Sequence, residues 1–284
     1  MSKNTIKTYV LLAALGGLLV LGGQLLFQGT GAVIGLAIGL LFVGGSYWFS
    51  DKIAIKASRA QPVSEQEAPE LYRMVRELTT PAQMPMPRLY MTPDPQPNAF
   101  ATGRNEKKSA VAVTQGITQI LTPDELRGVL AHELAHVKNK DILIGSVAAA
   151  IAMGITFMAR MVMWGAMFGG AGGDDDDGGN ILGMLAMMLL APIAAFFLQA
   201  AVSRSREFEA DRTGAALAGT GEPLARALEK LHESAKRVPM DVNPAQASMY
   251  IVNPFTGRKV AFANLFSTHP PAEERIARLR GLEA

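Results

Sequence analysis

The chain contains no cysteine among its 284 residues, which excludes both disulfide bonds and thiolate metal ligands. Charged residues are also few, at 18% of the chain against 49% hydrophobic residues. The net charge is only +2 and no nucleic-acid-binding motif is present, so we expect no DNA or RNA partner. The mean hydropathy of +0.18 is too high for an ordinary soluble domain of this length and indicates contact with a lipid bilayer.

Four long apolar stretches account for this hydropathy. The first two, Tyr9–Phe27 and Gly31–Phe49, contain no charged residue. At about 1.5 Å per helical residue, each is long enough to cross a hydrocarbon core roughly 30 Å thick. The first stretch is longer than the apolar region of a typical signal peptide and a second span follows at once, so we expect a retained anchor. The sequence therefore predicts two membrane-spanning helices at the N-terminus.

The second pair of apolar stretches lies in the middle of the chain. Ile142–Phe168 carries one charge, at Arg160, and Ile181–Val202 carries none. A flexible acidic loop joins them, so they form a second helical hairpin that is expected to be transmembrane. Apolar helices in a protein core have the same appearance, and the sequence leaves open whether this pair fully crosses the bilayer.

Basic residues flank both hairpins. Lys3 and Lys7 precede the first hairpin, and Lys52 and Lys56 follow it. By the positive-inside rule, these flanks lie in the cytoplasm. The second hairpin is flanked in the same way, so we expect a multi-pass protein of the cell (inner) membrane with both termini on the cytoplasmic side.

This topology divides the chain into membrane parts and one soluble domain. Residues 1–51 form the N-terminal transmembrane hairpin, and residues 142–202 form the inserted one. Residues 52–141 and 203–284 share a compartment and are expected to fold together as the first and second parts of one cytoplasmic domain. The patterns predict a mainly α fold with a small antiparallel β-sheet. Its strand candidates are Arg88–Met91, Ala99–Thr102 and Ser109–Val113.

The pair His132 and His136, with Glu133 between them, is the strongest indication of chemistry. Residues four apart lie on one face of a helix, so both imidazoles can reach a single ion. Zinc accepts such a pair, and the glutamate is then placed to activate a water molecule. Thr122-Pro123-Asp124-Glu125 predicts the start of the helix that carries this motif, with a capping box. Asp141, just beyond that helix, is interpreted as an interfacial or helix-end residue.

Two histidines are too few for a hydrolytic zinc site, which uses three protein ligands and keeps one position for water. The candidates for the third ligand are His232, His269 and the carboxylates of Ser203–Asp211. Glu207 and Asp211 are four apart and share a helical face, so one can bind the metal while the other orients a ligating histidine. The spacing alone does not say which residue does which.

Several motifs together resemble those of the HtpX-type heat-shock membrane metalloproteases, relatives of the zinc-dependent CAAX prenyl proteases. Besides the two N-terminal apolar stretches, they are Asn98–Gly103, His132–His136, Ser203–Asp211 and Phe266–Pro271, in the family's order. The resemblance implies a zincin-like metalloprotease domain with one zinc ion per chain. It also implies that Glu207 is the third ligand and that Asp211 orients a ligand.

The resemblance implies roles near the oxyanion or the substrate for His269 and Arg275. Plainer interpretations exist: His269 caps the last helix, and Arg275 is an internal ion-pair partner or a solvated charge. Asn98, Ala99 and Phe100 are expected to form an exposed edge strand that binds a peptide through backbone hydrogen bonds. The alternative for Asn98 is ordinary turn chemistry after a proline-rich stretch.

These features predict a membrane-anchored zinc endopeptidase at the cytoplasmic membrane face, and the resemblance implies turnover of misfolded membrane proteins under stress. One alternative is cleavage inside the membrane, against which the polar flanks of the motif helix argue. Another is a membrane chaperone or scaffold that does not cut and does not require Glu133. The segment Asp241–Ser267 is expected to be a mobile flap over the cleft, because it is long, rich in Asn, Pro and Gly, and precedes His269.

Overall fold

A computed structural model describes residues 31–145, 204–237, 250–251 and 270–281, together with isolated positions at 6, 9, 10, 13, 17, 147, 148, 151 and 193. The predictions for the first apolar stretch, for most of the 142–202 hairpin, for nearly all of the flap and for His269 fall outside the described residues. Within the described part of the chain, no helix combines the length and apolarity that crossing a bilayer requires.

Helices dominate the described chain, and a small sheet lies in its first half. The elements are α1 (Gly31–Ala57), β1 (Gln61–Pro62), α2 (Pro69–Thr79), β2 (Arg88–Thr92), β3 (Ala99–Gly103), β4 (Ser109–Thr114), α3 (Gln115–Ile120), α4 (Pro123–Lys138), α5 (Arg204–Ala218), α6 (Glu222–Arg237) and α7 (Ala272–Gly281). The three predicted strands are confirmed, each extended by one residue. The two-residue β1 and the short α3 were not predicted, because neither is long enough to show a periodic pattern.

The sheet is mixed, so the prediction of an antiparallel sheet is wrong. The strand order is β1-β2-β4-β3, with β2 and β4 parallel and the other two pairs antiparallel. The chain leaves β2, forms β3 at the edge and returns as a hairpin, which places β4 between them. A hairpin that inserts its second strand in this way makes that strand run with β2. Among the described strands, β3 therefore has a partner on one side only.

The two faces of the sheet pack against different helices. Ala99 of β3 and Val111 and Val113 of β4 belong to the main core, which α2 and α4 also line. Phe100 and Ala112 point to the opposite face, where the last turns of α1 contribute Ala54 and the following loop contributes Ala60. The C-terminal end of α1 thus packs on the face of β3 that is opposite the main core.

Helix α4 begins as predicted. Thr122 and Glu125 form the complete capping box, with Pro123 at the first helical position. Lys230 of α6 donates to the Glu125 carboxylate over 2.8 Å, which joins this helix start to the second half of the chain. The middle of α4 is fully buried, with Leu130 and Leu134 both 0% exposed. The two histidines of the motif are therefore carried by a rigid central helix.

Helix α5 approaches α4 closely at Gly214. A Cβ atom added there would lie 3.0 Å from both the Cα and the N atoms of His132, so only glycine permits this helix spacing without adjustment. Glu207, Asp211 and Gly214 follow the i, i+4, i+7 pattern and share one face of α5. The contact at Gly214 therefore turns both acidic side chains toward the histidine pair.

Candidate metal centre

Three side chains converge between α4 and α5. The Nε2 atoms of His132 and His136 are 3.1 Å apart. The Glu207 carboxylate lies 3.7 Å from each of them, through Oε2 to His132 and Oε1 to His136. Ligand atoms about 2.0–2.2 Å from a tetrahedral ion are about 3.3–3.6 Å apart. The observed separations of 3.1 Å and 3.7 Å lie close to this range, so the three side chains fit one zinc ion. His₂Glu is also the donor set of hydrolytic zinc sites.

Of the candidates for a third ligand, Glu207 is the one that the described structure brings to the histidine pair. Glu207 is only 4% exposed, and its buried charge lies close to that of Arg275, with Nη1 4.0 Å from Oε2. His232 instead faces Glu273 of α7, with Nε2 and Oε1 3.2 Å apart. Glu209 points outward and pairs with Arg212 on the helix surface.

Asp211 and Arg275 make buried polar contacts on the Nδ1 side of His132. Asp211 Oδ1 lies 2.9 Å from His132 Nδ1, and this contact leaves Nε2 to face the other ligands. Asp211 also accepts two hydrogen bonds from the Arg275 guanidinium, at 2.9 Å from Nε and 2.7 Å from Nη2. Burial alone would raise the pKa of Asp211, but Arg275 and His132 together outweigh it and lower that pKa to about 2. Asp211 therefore stays ionised at neutral pH.

Arg275 is an internal ion-pair partner, which is one of the plainer interpretations open at the sequence level. It is 1% exposed, and besides Asp211 it donates to the Ile251 carbonyl over 3.1 Å. Burial alone would lower its pKa, but the charge and hydrogen bonds of Asp211, together with the charges of Glu207 and Glu133, outweigh burial and raise it. Arg275 Nη1 also lies 4.0 Å from Glu207 Oε2, and Nη2 lies 3.4 Å from both ring nitrogens of His132, so Arg275 supports the candidate ligands directly as well as through Asp211. Its role at the oxyanion or substrate stays an untested prediction.

Replacing Arg275 with methionine should destabilise the protein by about 3–5 kcal/mol, because it leaves the buried Asp211 charge without its partner. Thermal and denaturant unfolding of the full chain in a non-ionic detergent measures this loss. The Arg73→Met variant is the control: both of its ion pairs, to Glu70 and Glu77, are exposed, and it should cost less than about 1 kcal/mol. Equal effects of the two substitutions would contradict the buried ion pair.

His136 is oriented by Asp141, a residue whose role the sequence did not reveal. Both carboxylate oxygens of Asp141 lie 3.1 Å from His136 Nδ1. Asp141 is five residues beyond His136, off the helical face, and reaches it because Lys140 adopts a left-handed conformation with φ 59°. The backbone N–H of Asp141 then donates to the His136 carbonyl over 3.2 Å. Asp141 is therefore a helix-end residue, as one of the interpretations from the sequence had it, and its carboxylate in addition orients His136.

Asp141 also sets the protonation of its partner in the metal-free site. Burial lowers the pKa of His136, but the charges of Asp141, Glu207 and Glu133 outweigh this and raise it to about 10. Each histidine thus has a carboxylate on Nδ1 and Glu207 near Nε2. This arrangement favours positive charge between the rings, and a bound cation supplies that charge in place of protons.

The Asp141→Asn variant should bind zinc about 10- to 100-fold more weakly, because the amide keeps the size of the side chain but not the charge that orients His136 and makes it basic. Competition with a chromophoric chelator measures this affinity. Asp124→Asn, at the other end of α4 and exposed, is the matched control and should leave affinity unchanged. Unchanged affinity in Asp141→Asn would show that the carboxylate does not tune the ligand.

Glu133 points to the edge strand of the sheet. Its Oε2 accepts a hydrogen bond of 2.8 Å from the backbone N–H of Ala101 in β3. The side chain is 6% exposed, and burial, together with the nearby charge of Glu207, raises its pKa, although both histidines oppose this shift. A carboxylate with a raised pKa beside a metal site is suited to take up a proton and give it back.

The residues predicted to bind substrate are all buried as side chains. Asn98, Ala99 and Phe100 are 4%, 1% and 6% exposed. The Asn98 side chain accepts a hydrogen bond of 3.2 Å from the Ile251 N–H. The side chains of this segment are therefore not available to a peptide, and the neighbouring Ala101 is the partly exposed residue of the strand.

The pairing of β3 with β4 decides which backbone groups point outward. In an antiparallel pair the hydrogen-bonded residues alternate. Because the Ala101 N–H points to Glu133, away from β4, the backbone groups of Ala99 and Ala101 form the outer edge. This edge runs beside Glu133.

The chain is similar to known proteins over nearly its whole length. Residues 65–283 match the profile of peptidase family M48. A protease HtpX homolog of Syntrophobacter fumaroxidans is 54% identical over 279 residues, covering 97% of this chain and 98% of its own. A second, from Pelotomaculum thermopropionicum, is 54% identical over 280 residues, covering 98% of this chain and 99% of its own. The crystal structure of S. mikatae Ste24p aligns with 97% of this chain and 65% of its own, at 19% identity and a TM-score of 0.49.

Proposed function

The chain belongs to peptidase family M48 and is a metalloprotease, and from that premise we propose that it is a membrane-anchored zinc endopeptidase. One observation carries the proposal: His132, His136 and Glu207 form a three-ligand group beside the buried carboxylate of Glu133. The acceptor carboxylates on both Nδ1 atoms support it, because ligating histidines are held in this way.

His132, His136 and Glu207 would hold the ion. Zinc bound there would act as a Lewis acid that polarises the scissile carbonyl. It would also lower the pKa of water, so that a nucleophile is available at neutral pH. Glu133 takes the proton from the attacking water and passes it to the leaving amine. The Ala101 N–H holds the Glu133 carboxylate in place for both transfers. By the family resemblance, His269 stabilises the oxyanion, although it lies outside the described residues.

The substrate would bind as an extended strand along the outer edge of β3. The outward carbonyl of the partly buried Ala101 offers a hydrogen bond that does not depend on the substrate's side chains, whereas the Ala101 N–H is already donated to Glu133. Such sequence-tolerant binding suits a protease that acts on unfolded chains of many kinds. The buried side chains of Asn98 and Phe100 fix the strand rather than select the substrate.

The protease would be anchored in the cell membrane, with its site on the cytoplasmic side. Large apolar side chains are exposed along α1, among them Val33 at 69% and Leu41 at 78%, and a lipid environment would cover them. Basic residues lie in the last turns of α1 and just after it, at Lys52, Lys56 and Arg59, which supports a cytoplasmic location. The clients would be misfolded membrane proteins, turned over under stress. The domain division predicted from the sequence is part of this proposal.

The test is cleavage of an unstructured protein such as casein by the full chain in a non-ionic detergent. Chelation should abolish cleavage, and stoichiometric zinc should restore it. Cleavage that persists after the metal has been removed, as verified by elemental analysis, would reject the proposed chemistry. Topology is tested separately, by cysteine labelling of single-cysteine variants in sealed membranes, since the chain has no cysteine of its own.

A further inference from the structure

A basic cleft lies on the side of the sheet that faces α1, away from the metal centre. It has a volume of about 730 Å³ and opens between the last turns of α1 and strands β1 and β2. Four basic side chains line it, together with an apolar floor: Lys52, Lys56, Arg59 and Arg88, with Ile55 and Tyr90. We call this site the α1 cleft.

Within the described part of the chain, neighbouring carboxylates do not balance the positive charge of the α1 cleft. Arg88 is paired with Asp51, at 2.9 Å from Nη2 to Oδ2. Among the residues that the structure describes, no carboxylate lies within ion-pair distance of Lys52, Lys56 or Arg59, and all three are exposed. Three cations therefore share one cleft with a single, already paired, carboxylate. Such a cleft attracts a compact anion.

The helix that leads into the cleft presents apolar and aromatic surface. Trp48 is 58% exposed and Phe49 is 52% exposed, one turn before the basic residues. The Arg104 guanidinium lies 4.5 Å from the Trp48 ring centroid, and Lys52 Nζ lies 5.5 Å from that of Phe49. Exposed aromatic rings followed by basic side chains are typical of the level at which lipid headgroups meet the hydrocarbon core.

We propose that the α1 cleft binds the phosphate group of an anionic phospholipid. Lys52, Lys56 and Arg59 would contact the phosphate, and the floor of Ile55 and Tyr90 would contact the glycerol backbone. The acyl chains would then run along the exposed apolar side chains of α1. The proposal rests on the proposed membrane anchoring, because α1 must place the cleft at the bilayer surface. A soluble phosphate has the same anionic group, but it has no apolar part to contact the floor of the cleft or the exposed side chains of α1.

The experiment uses the full chain in a non-ionic detergent, titrated with phosphatidylglycerol or phosphatidylcholine, with bound lipid counted by native mass spectrometry. Phosphatidylglycerol should bind tightly and phosphatidylcholine weakly. The Lys56→Gln/Arg59→Gln double variant should lose about 10- to 30-fold in phosphatidylglycerol affinity, as expected for two basic groups at an anionic lipid. The control is Lys107→Gln/Lys108→Gln, which removes the same charge from exposed positions that do not line the cleft.

Each outcome decides the proposal. Equal loss in the two double variants, or equal binding of the two lipids, would overturn it in favour of diffuse electrostatic attraction. Displacement of the lipid by an equimolar amount of inorganic phosphate would overturn the lipid as the source of the phosphate. Casein cleavage in lipid-free detergent should be unchanged in both variants, which checks that they fold. Retention of the protein in carbonate-washed membranes reports on anchoring independently, so failure of the cleft and failure of the anchor are distinguishable.

Discussion

Replacing Glu133 with glutamine should lower peptide hydrolysis by about 10²- to 10⁴-fold, the usual contribution of a positioned general base. The amide has the same shape, and its oxygen can still accept the hydrogen bond from the Ala101 N–H. It cannot take up the proton of the attacking water. The substitution therefore removes the proton transfer and leaves the geometry of the site in place.

The measurement is the initial rate of casein cleavage, with bound zinc and the thermal midpoint determined on the same preparation. Zinc content should stay at one ion per chain, and stability should not fall, because a buried carboxylate with a raised pKa is replaced by a neutral group. Loss of zinc together with activity would mean that Glu133 supports the ligands rather than the chemistry. Undiminished activity would remove Glu133 from the mechanism.

The Glu207→Ala substitution should weaken zinc binding by more than ~100-fold, beyond the loss that follows from removing a residue that only orients a ligand. It removes the ligand contributed by α5 and leaves two imidazoles, which are too few for a stable hydrolytic site. Casein cleavage should fall to background at zinc concentrations that saturate the wild type.

Glu209→Ala is the matched control for this substitution. Glu209 is two residues away on the same helix, exposed, and paired with Arg212. It should retain full zinc content and activity. A normal zinc content in Glu207→Ala would show that another side chain completes the site, and zinc-edge X-ray absorption on that variant would identify the donor type.

The features that the sequence predicted correctly are local in the chain. The capping box at Thr122 and Glu125 and the helix that follows depend on residues within one turn of one another. His132 and His136 share a face for the same reason. The choice of Glu207 over His232 depends on how α5 crosses α4, and spacing within the chain carries no information about that crossing.

The features that the sequence missed come from tertiary structure. Asp141 reaches His136 only because Lys140 adopts a left-handed conformation that few sequence patterns indicate. The mixed sheet arises because β4 enters between β2 and β3, although each strand pattern by itself fits either pairing. Arg275 lies in an ordinary amphipathic helix, and its burial follows from Asp211 more than sixty positions earlier.

Residue 251 is held from both sides. Its N–H is bound by Asn98, at the start of the edge strand, and its carbonyl by Arg275, behind the ligand His132. A single residue, Ile251, thus connects the strand where substrate would lie with the support of the metal, and a shift of either is transmitted to the other. By linkage, a peptide bound along β3 would raise the affinity for zinc by the same factor by which zinc raises the affinity for the peptide. Two hydrogen bonds of about 1 kcal/mol each limit that reciprocal factor to about thirty.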